Sequence, residues 1–301
     1  MAPAPTPGAP FGRMLTAMVT PMTADGTLDY DAAQRLAEHL VDRGNDGLVI
    51  SGTTGESPTT SDEEKERLLR AVVEAVGARA HVVAGVGTYD TAHSVELARH
   101  AEKAGVTGLL VVTPYYSKPP QAGLVEHFSR IADSTGLGLM LYDIPARSGV
   151  AIATETLLHL AQHDRIVAVK DAKGDLHETT KVLAATDLAY YSGEDAINLP
   201  MFAIGAVGAV SVVGHVCAPE YVAMIRAVDD GDLDEARRIN AAVLPAVRGI
   251  MTRTQGAIMA KAALELLGVV TNRAVRPPLV AATDEQVELL RADLTEAGLP
   301  L

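Results

Sequence analysis

Chemistry of one kind is concentrated in Ile166-Val167-Ala168-Val169-Lys170-Asp171. Four apolar residues, three of them β-branched, predict a buried strand that ends in a lysine. An ammonium there loses hydration. Burial disfavours the charged form, so the pKa falls from ~10.4 toward the range where a free amine exists near neutrality. A neutral amine attacks carbonyls and forms an imine. The alternative is a lysine that leaves the core and snorkels to water. Of the seven lysines, Lys65, Lys103, Lys173 and Lys181 sit in polar or helical contexts, Lys118 lies in a proline-flanked loop and Lys261 falls in a helical pattern. Only Lys170 caps an apolar strand.

Three further groups could serve such an amine. Gly52-Thr53-Thr54-Gly55-Glu56 is a glycine-bracketed turn. Successive N–H groups in such a turn can form an anion-binding nest, and the two hydroxyls add donors, so it could cradle a carboxylate. The plainer reading is a loop in which Thr and Gly serve turn geometry. Tyr142 falls on the strand adjacent to that of Lys170, and alternation can point both side chains inward. A phenol beside an imine-forming amine can pass the protons that imine formation requires, unless it simply packs at the barrel top. Arg147 could hold a second carboxylate in a bidentate pair, or be a solvated loop residue. Tyr115 and Tyr116 lie in a loop where stacking or an interface is the ordinary role.

These residues need elements to carry them. After Met1–Gly12, short apolar strands alternate with amphipathic helices, which predicts an α/β fold with parallel strands. The strands are Leu15–Pro21, Asp46–Gly52, His81–Gly87, Gly108–Pro114, Gly138–Pro145, Ile166–Ala172, Leu188–Gly193 and Ala206–Val213. Eight strands separated by helices match a closed (β/α)8 TIM barrel, whose chemistry sits at the C-terminal strand ends. There stand Gly52–Glu56, Thr113-Pro114-Tyr115-Tyr116, Tyr142–Arg147 and Lys170. A doubly wound open sheet is the rival, but its first strand usually runs into a Gly-rich phosphate turn, and here Thr20-Pro21-Met22 follows. Ser61-Asp62-Glu63-Glu64 is a capping box, Asp90-Thr91 opens a helix and Gly105 closes it. Helical segments Leu233–Arg253, Gln255–Leu267 and Asp284–Ala297 form a C-terminal appendage. The expected organisation is a flexible tail over residues 1–12, a barrel over 13–229 and a helical region over 230–301.

Composition narrows the functions. The 301 residues are 48% hydrophobic and 21% charged, as in a globular chain. A net charge of -13 argues against a nucleic-acid or anionic-membrane surface. One cysteine, Cys217, excludes an intrachain disulfide framework and any multi-cysteine metal site, and fits a reducing, cytoplasmic setting. No apolar run reaches the ~18 residues of a membrane span. His159 and His163 are spaced i, i+4 without a third ligand or an H-E-x-x-H pattern, so surface histidines are expected and no metal site.

Taken in order, Gly52–Glu56, Thr113–Tyr116, Tyr142-Asp143-Ile144-Pro145-Ala146-Arg147-Ser148-Gly149 and Val169-Lys170-Asp171 resemble the dihydrodipicolinate synthase/N-acetylneuraminate lyase family of class I pyruvate aldolases. The resemblance runs from about Leu15 to Leu299. It implies Lys170 as the Schiff-base lysine for pyruvate and Tyr142 as the adjacent general acid/base. Thr53 would link Tyr142 to Tyr116 in a proton relay, with Tyr116 supplied across a dimer interface. Thr54 would hold the pyruvate carboxylate near the backbone of Val210, Arg147 the carboxylate of aspartate semialdehyde, and Gly193 would edge the site. The implied reaction is condensation of pyruvate with L-aspartate 4-semialdehyde to 4-hydroxy-tetrahydrodipicolinate, in lysine and diaminopimelate synthesis. It needs no cofactor beyond the covalent imine, and a homotetramer, as a dimer of dimers, is implied. Arg147 and Thr53 favour this reaction over sugar-acid cleavage of the N-acetylneuraminate lyase kind, where an apolar residue and Ser are usual. A catalytically silent keto-acid-binding barrel is the further alternative. The positions aligned with the family's lysine-effector pocket are Asp62, Lys65, Tyr89 and His93. Lys65 would repel a cationic effector, so weak or absent feedback is expected.

Overall fold

Residues 8–300 are described by a computed structural model. Eight strands, β1 (Met14–Ala17), β2 (Gly47–Ile50), β3 (His81–Gly85), β4 (Gly108–Val112), β5 (Leu139–Asp143), β6 (Ile166–Asp171), β7 (Ala189–Ser192) and β8 (Gly208–Ser211), close in sequence order into one barrel. Every neighbouring pair is parallel, including β8 with β1. Both faces of each strand are covered, which is why the strands read as unbroken apolar runs. The expected (β/α)8 barrel is the observed one. Each strand ends earlier than the apolar pattern suggested, because the residues beyond it leave the ladder to form the loops of the mouth.

The crossover helices are α1 (Tyr30–Asp42), α2 (Asp62–Val76), α3 (Thr91–Ala104), α4 (Gln121–Asp133), α5 (Pro145–Ser148), α6 (Thr154–Leu160), α7 (Leu176–Ala185), α8 (Asn198–Ala203) and α9 (Gly214–Asp229). Their starts follow the local signals. Both arms of the Ser61–Glu64 capping box form at α2. Asp90 accepts from Ala92 N at α3, and Gly105 ends that helix at φ 87°. Beyond α9 come α10 (Leu233–Val247), a π-helical turn (Arg248–Thr252), α11 (Gly256–Leu266) and α12 (Asp284–Glu296). Buried Asp293 of α12 takes Arg248 and Arg253 together and pins this layer.

Two apolar clusters form. The larger lies between strands and helices and takes in Cys217. The smaller fills the lumen with Leu15, Val49, Val83, Leu110, Met140 and Val210, and Phe11 belongs to it. That corrects part of the expected tail. Residues 1–7 lie outside the described chain, but Ala9 and Phe11 are each only 2% exposed. Phe11 N donates to Tyr191 Oη and Tyr191 Oη donates to Gly12 O, so the segment plugs the lumen instead of hanging free. A single aromatic in an Ala/Pro-rich stretch was too weak a signal.

Candidate active site

β5 and β6 run side by side with Tyr142 paired to Lys170 and Asp143 to Asp171. Alternation sends the first pair inward and the second toward the helices. Outward, Asp171 accepts from Thr179 Oγ1 at 2.6 Å and Lys173 N at 2.8 Å. Asp143 accepts from Ile152 N at 3.1 Å, and burial pushes its pKa up to about 6 against the pull of Lys173, 3.5 Å away. These bonds fix the two strand ends that carry the inward pair.

Inward, Lys170 is 4% exposed. Its Nζ lies over the Tyr142 ring, 4.2 Å from the centroid. The amine therefore meets the ring face, a cation–π geometry that favours the ammonium. Burial outweighs it, bringing the Lys170 pKa down to about 8, with Asp195 opposing and Arg147 adding to the fall. Burial likewise pushes Tyr142 up to about 12, with Arg147 opposing, so at neutral pH the phenol keeps its proton. Gly193 adjoins the lysine stem: a Cβ there would stand 2.9 Å from Lys170 Cγ and 3.0 Å from Cε. Only glycine leaves room for that stem.

Beside the pair opens a cavity of ≈ 250 Å3 whose wall includes Ser51, Thr53, Ser57, Tyr115, Tyr142 and Arg147. Thr53 and Arg147 thus come together with Tyr142. Lys170 is outside this wall, and Tyr142 belongs to both groups. Thr54 is buried in the same turn as Thr53, a turn held by a bond from Thr20 Oγ1 to Gly55 O at 2.7 Å. Val210 is fully buried on β8, in the lumen cluster. Tyr116 is elsewhere. It is 92% exposed at φ 71°, while Tyr115 lines the cavity and stacks edge-on with Tyr89 at 5.5 Å. His163 lies 3.1 Å from Asp133.

Two features escaped the sequence reading. Asp195, 4% exposed after β7, accepts from Val212 N at 2.9 Å, Val213 N at 3.0 Å and the Ser211 hydroxyl. It anchors the loop after β8 and sets a negative charge near Lys170. The acidic pair Glu194-Asp195 directly after a strand end was the available signal. The second is a buried ion pair between Lys261 of α11 and Glu56, with Arg276 N also donating to Glu56 at 2.9 Å. From the sequence Lys261 reads as an ordinary helical lysine.

A parallel (β/α)8 barrel with a buried, easily deprotonated lysine against a tyrosine at its mouth defines a lyase of the carbonyl-condensing kind. More narrowly, the chain belongs to the dihydrodipicolinate synthetase family, whose model matches residues 10–297. It is 67% identical to a 4-hydroxy-tetrahydrodipicolinate synthase of Kineococcus radiotolerans, over 99% of this chain and 97% of that one. A 4-hydroxy-tetrahydrodipicolinate synthase 2 of Streptomyces coelicolor is 62% identical over 100% of both chains. Among solved structures, a dihydrodipicolinate synthase of Cyanidioschyzon merolae with lysine bound superposes with a TM-score of 0.93 at 40% identity, covering 96% of this chain and 99% of that one. One of Acinetobacter baumannii complexed with pyruvate gives 0.91 at 31%, covering 96% and 99%.

Proposed function

We propose that this chain condenses pyruvate with L-aspartate 4-semialdehyde to 4-hydroxy-tetrahydrodipicolinate, the step that feeds diaminopimelate and lysine synthesis. The observation that carries the reading is the Lys170 amine, buried at the end of β6 against Tyr142, with a cavity beside them that Arg147 and Thr53 wall. Lys170 Nζ adds to the pyruvate ketone, and loss of water gives an imine. The protonated imine draws electrons from the adjacent methyl, which loses a proton and becomes the enamine carbon. That carbon bonds to the aldehyde carbon, whose oxygen takes a proton. The amine carried in by the second substrate then attacks the imine carbon, expels Lys170 and closes a six-membered ring.

Tyr142, protonated at neutral pH, acts as the acid for the departing water and the new alkoxide. Thr53 relays its proton, with Tyr116 of a second copy at the far end; the exposed aromatic is well placed to leave its own chain. Thr54 and the Val210 backbone hold the pyruvate carboxylate, Gly193 makes space for the lysine, and Arg147 takes the carboxylate of the semialdehyde. The imine is the electron sink, so no organic cofactor or metal is called on. The working form is a homotetramer, a dimer of dimers, in the cytoplasm. Among the described residues no helix is long and apolar enough to cross a membrane.

Intact-mass analysis after pyruvate and borohydride tests the imine. Wild type gains reduced pyruvate and Lys170→Ala does not; no gain on wild type would support a silent keto-acid-binding barrel. Steady-state turnover of pyruvate with aspartate semialdehyde, set against N-acetylneuraminate cleavage, then fixes the acceptor. Faster cleavage of the sugar acid would overturn the assignment.

A further inference from the structure

Two loops build the far side of the cavity. The one after β4 supplies Tyr115, and the one from Ile144 to Ala153 after β5 supplies Arg147 and Ser148. Backbone strain marks the first, since Tyr116 and Lys118 both stand in the left-handed region, at φ 71° and 48°. Non-glycine residues hold that conformation only where the surroundings over-determine it. One side chain at the end of this loop reaches across to the other. Gln121, the first residue of α4, donates from Nε2 to Ala151 O at 2.9 Å. Its Oε1 accepts from Ala153 N at 3.0 Å and from Thr156 Oγ1 at 2.8 Å. The amide thus closes one loop at its end and grips the other at its exit into α6, which has no side-chain cap of its own.

The loops also meet nearer the mouth. A Cβ on Gly149 would lie 2.8 Å from Lys118 Cε, so the lysine stem rests against the backbone two residues from Arg147. From below, Asp143 holds Ile152 N. The Arg147 segment is therefore tied on one side to the strand bearing Tyr142 and on the other to the loop bearing Tyr115 and Tyr116.

We infer that Gln121 is a positioning residue for the second substrate: it fuses the Tyr115 and Arg147 loops into one rigid wall, so the guanidinium is aimed before the aldehyde arrives. This rests on the condensation reading above. Lys170 is anchored separately by β6 and Asp171, so loosening the clamp reaches the pyruvate half only indirectly, through the charge of Arg147 and the loop that carries Tyr116. A misplacement of about 1 Å in a group that orients a substrate can cost about 10²-fold in rate.

The test compares Gln121→Ala and Gln121→Glu with wild type. In Gln121→Ala the KM for aspartate semialdehyde rises about tenfold or more, while the KM for pyruvate and borohydride trapping on Lys170 change far less. Gln121→Glu keeps both acceptor bonds but turns a carboxylate oxygen toward Ala151 O, so its rise is intermediate. Hydrogen exchange in Gln121→Ala speeds up together in residues 115–120 and 144–153. A helix cap alone would lower the melting temperature and loosen only the start of α6, with the ratio of the two KM values unchanged; that outcome overturns the inference. So does an equal rise in both KM values. If Gln121→Ala does not fold, the KM ratio and exchange in Gln121→Glu decide. Wild type that traps pyruvate but ignores aspartate semialdehyde sinks the functional reading instead, and the joint exchange of the two loops still tests the clamp.

Discussion

Lys170 is costly where it stands. Burial brings its pKa from 10.5 to about 8, and at about 1.4 kcal/mol per pH unit the ammonium it carries at neutral pH destabilises the fold by about 3 kcal/mol. The sign follows from proton counting. Between the two values the unfolded chain holds more protons than the folded one, so stability climbs with pH across that window. The penalty is complete below pH 8 and gone above 10.5. Lys170→Met is therefore expected to lose all pyruvate trapping and to melt several degrees higher at pH 7, by roughly 2–4 °C per kcal/mol for a large domain. The gap closes as pH approaches the unfolded value. Melting curves of both proteins at pH 7 and pH 10 check this, and equal stability at pH 7 would mean the lysine is better solvated than its surroundings indicate. Tyr142→Phe separates ring from hydroxyl. The ring under the amine stays, so imine still forms, though more slowly without its acid, and kcat falls about 10²–10⁴-fold. Single-turnover trapping beside steady-state rates distinguishes the two.

At the level of elements, sequence pattern and structure diverge in an instructive way. Strand positions and helix caps depend on near neighbours, so Ile166–Asp171 and the Ser61 box were legible, as was the inward pairing of Lys170 with Tyr142. Contacts between segments hundreds of residues apart leave no such trace. Glu56 is the clearest case. Its carboxylate receives Lys261 Nζ and Arg276 N, from the C-terminal region, and Lys261 also donates to Ala274 O at 2.7 Å. Nothing local in a helical Lys flanked by Ala announces a partner 205 positions away. The consequence is that α11 braces the Thr53-Thr54 turn through the residue that ends it. Lys261→Met strands a buried carboxylate and should cost about 3–5 kcal/mol. Adding Glu56→Gln removes the uncompensated charge, so the double variant is more stable than Lys261→Met alone. Urea unfolding of the four proteins measures the coupling. Simple additivity would show that the pair is not shielded from water.

At the scale of the whole molecule, the surface around the mouth bears on how the chain answers lysine. Tyr89 and Tyr116, 64% and 92% exposed, give one face of the barrel mouth the aromatic surface on which a second copy is proposed to sit. Against that face lie the positions aligned with a lysine-effector pocket. Lys65 is 9% exposed, its Nζ donates to Thr60 O at 2.8 Å, and it stands 3.4 Å from Asp62. His93 Nε2 lies 2.8 Å from the other oxygen of Asp62. Asp62 is the one anion among the four aligned side chains, and both its oxygens are already engaged. An incoming lysine brings two ammonium groups and one carboxylate, so it would meet a fixed positive charge and find no free counter-charge. Affinity requires groups that attract the ligand more than they attract one another, and here the attraction is spent internally. Millimolar lysine is therefore expected to leave the initial rate nearly unchanged. Lys65→Ala removes the repelling charge and releases Asp62, so it should make the enzyme more sensitive than wild type. Initial rates of both proteins across a lysine titration decide the matter: half-inhibition of wild type well below millimolar, or no gain in sensitivity from the substitution, would show that the pocket is governed by something other than these charges.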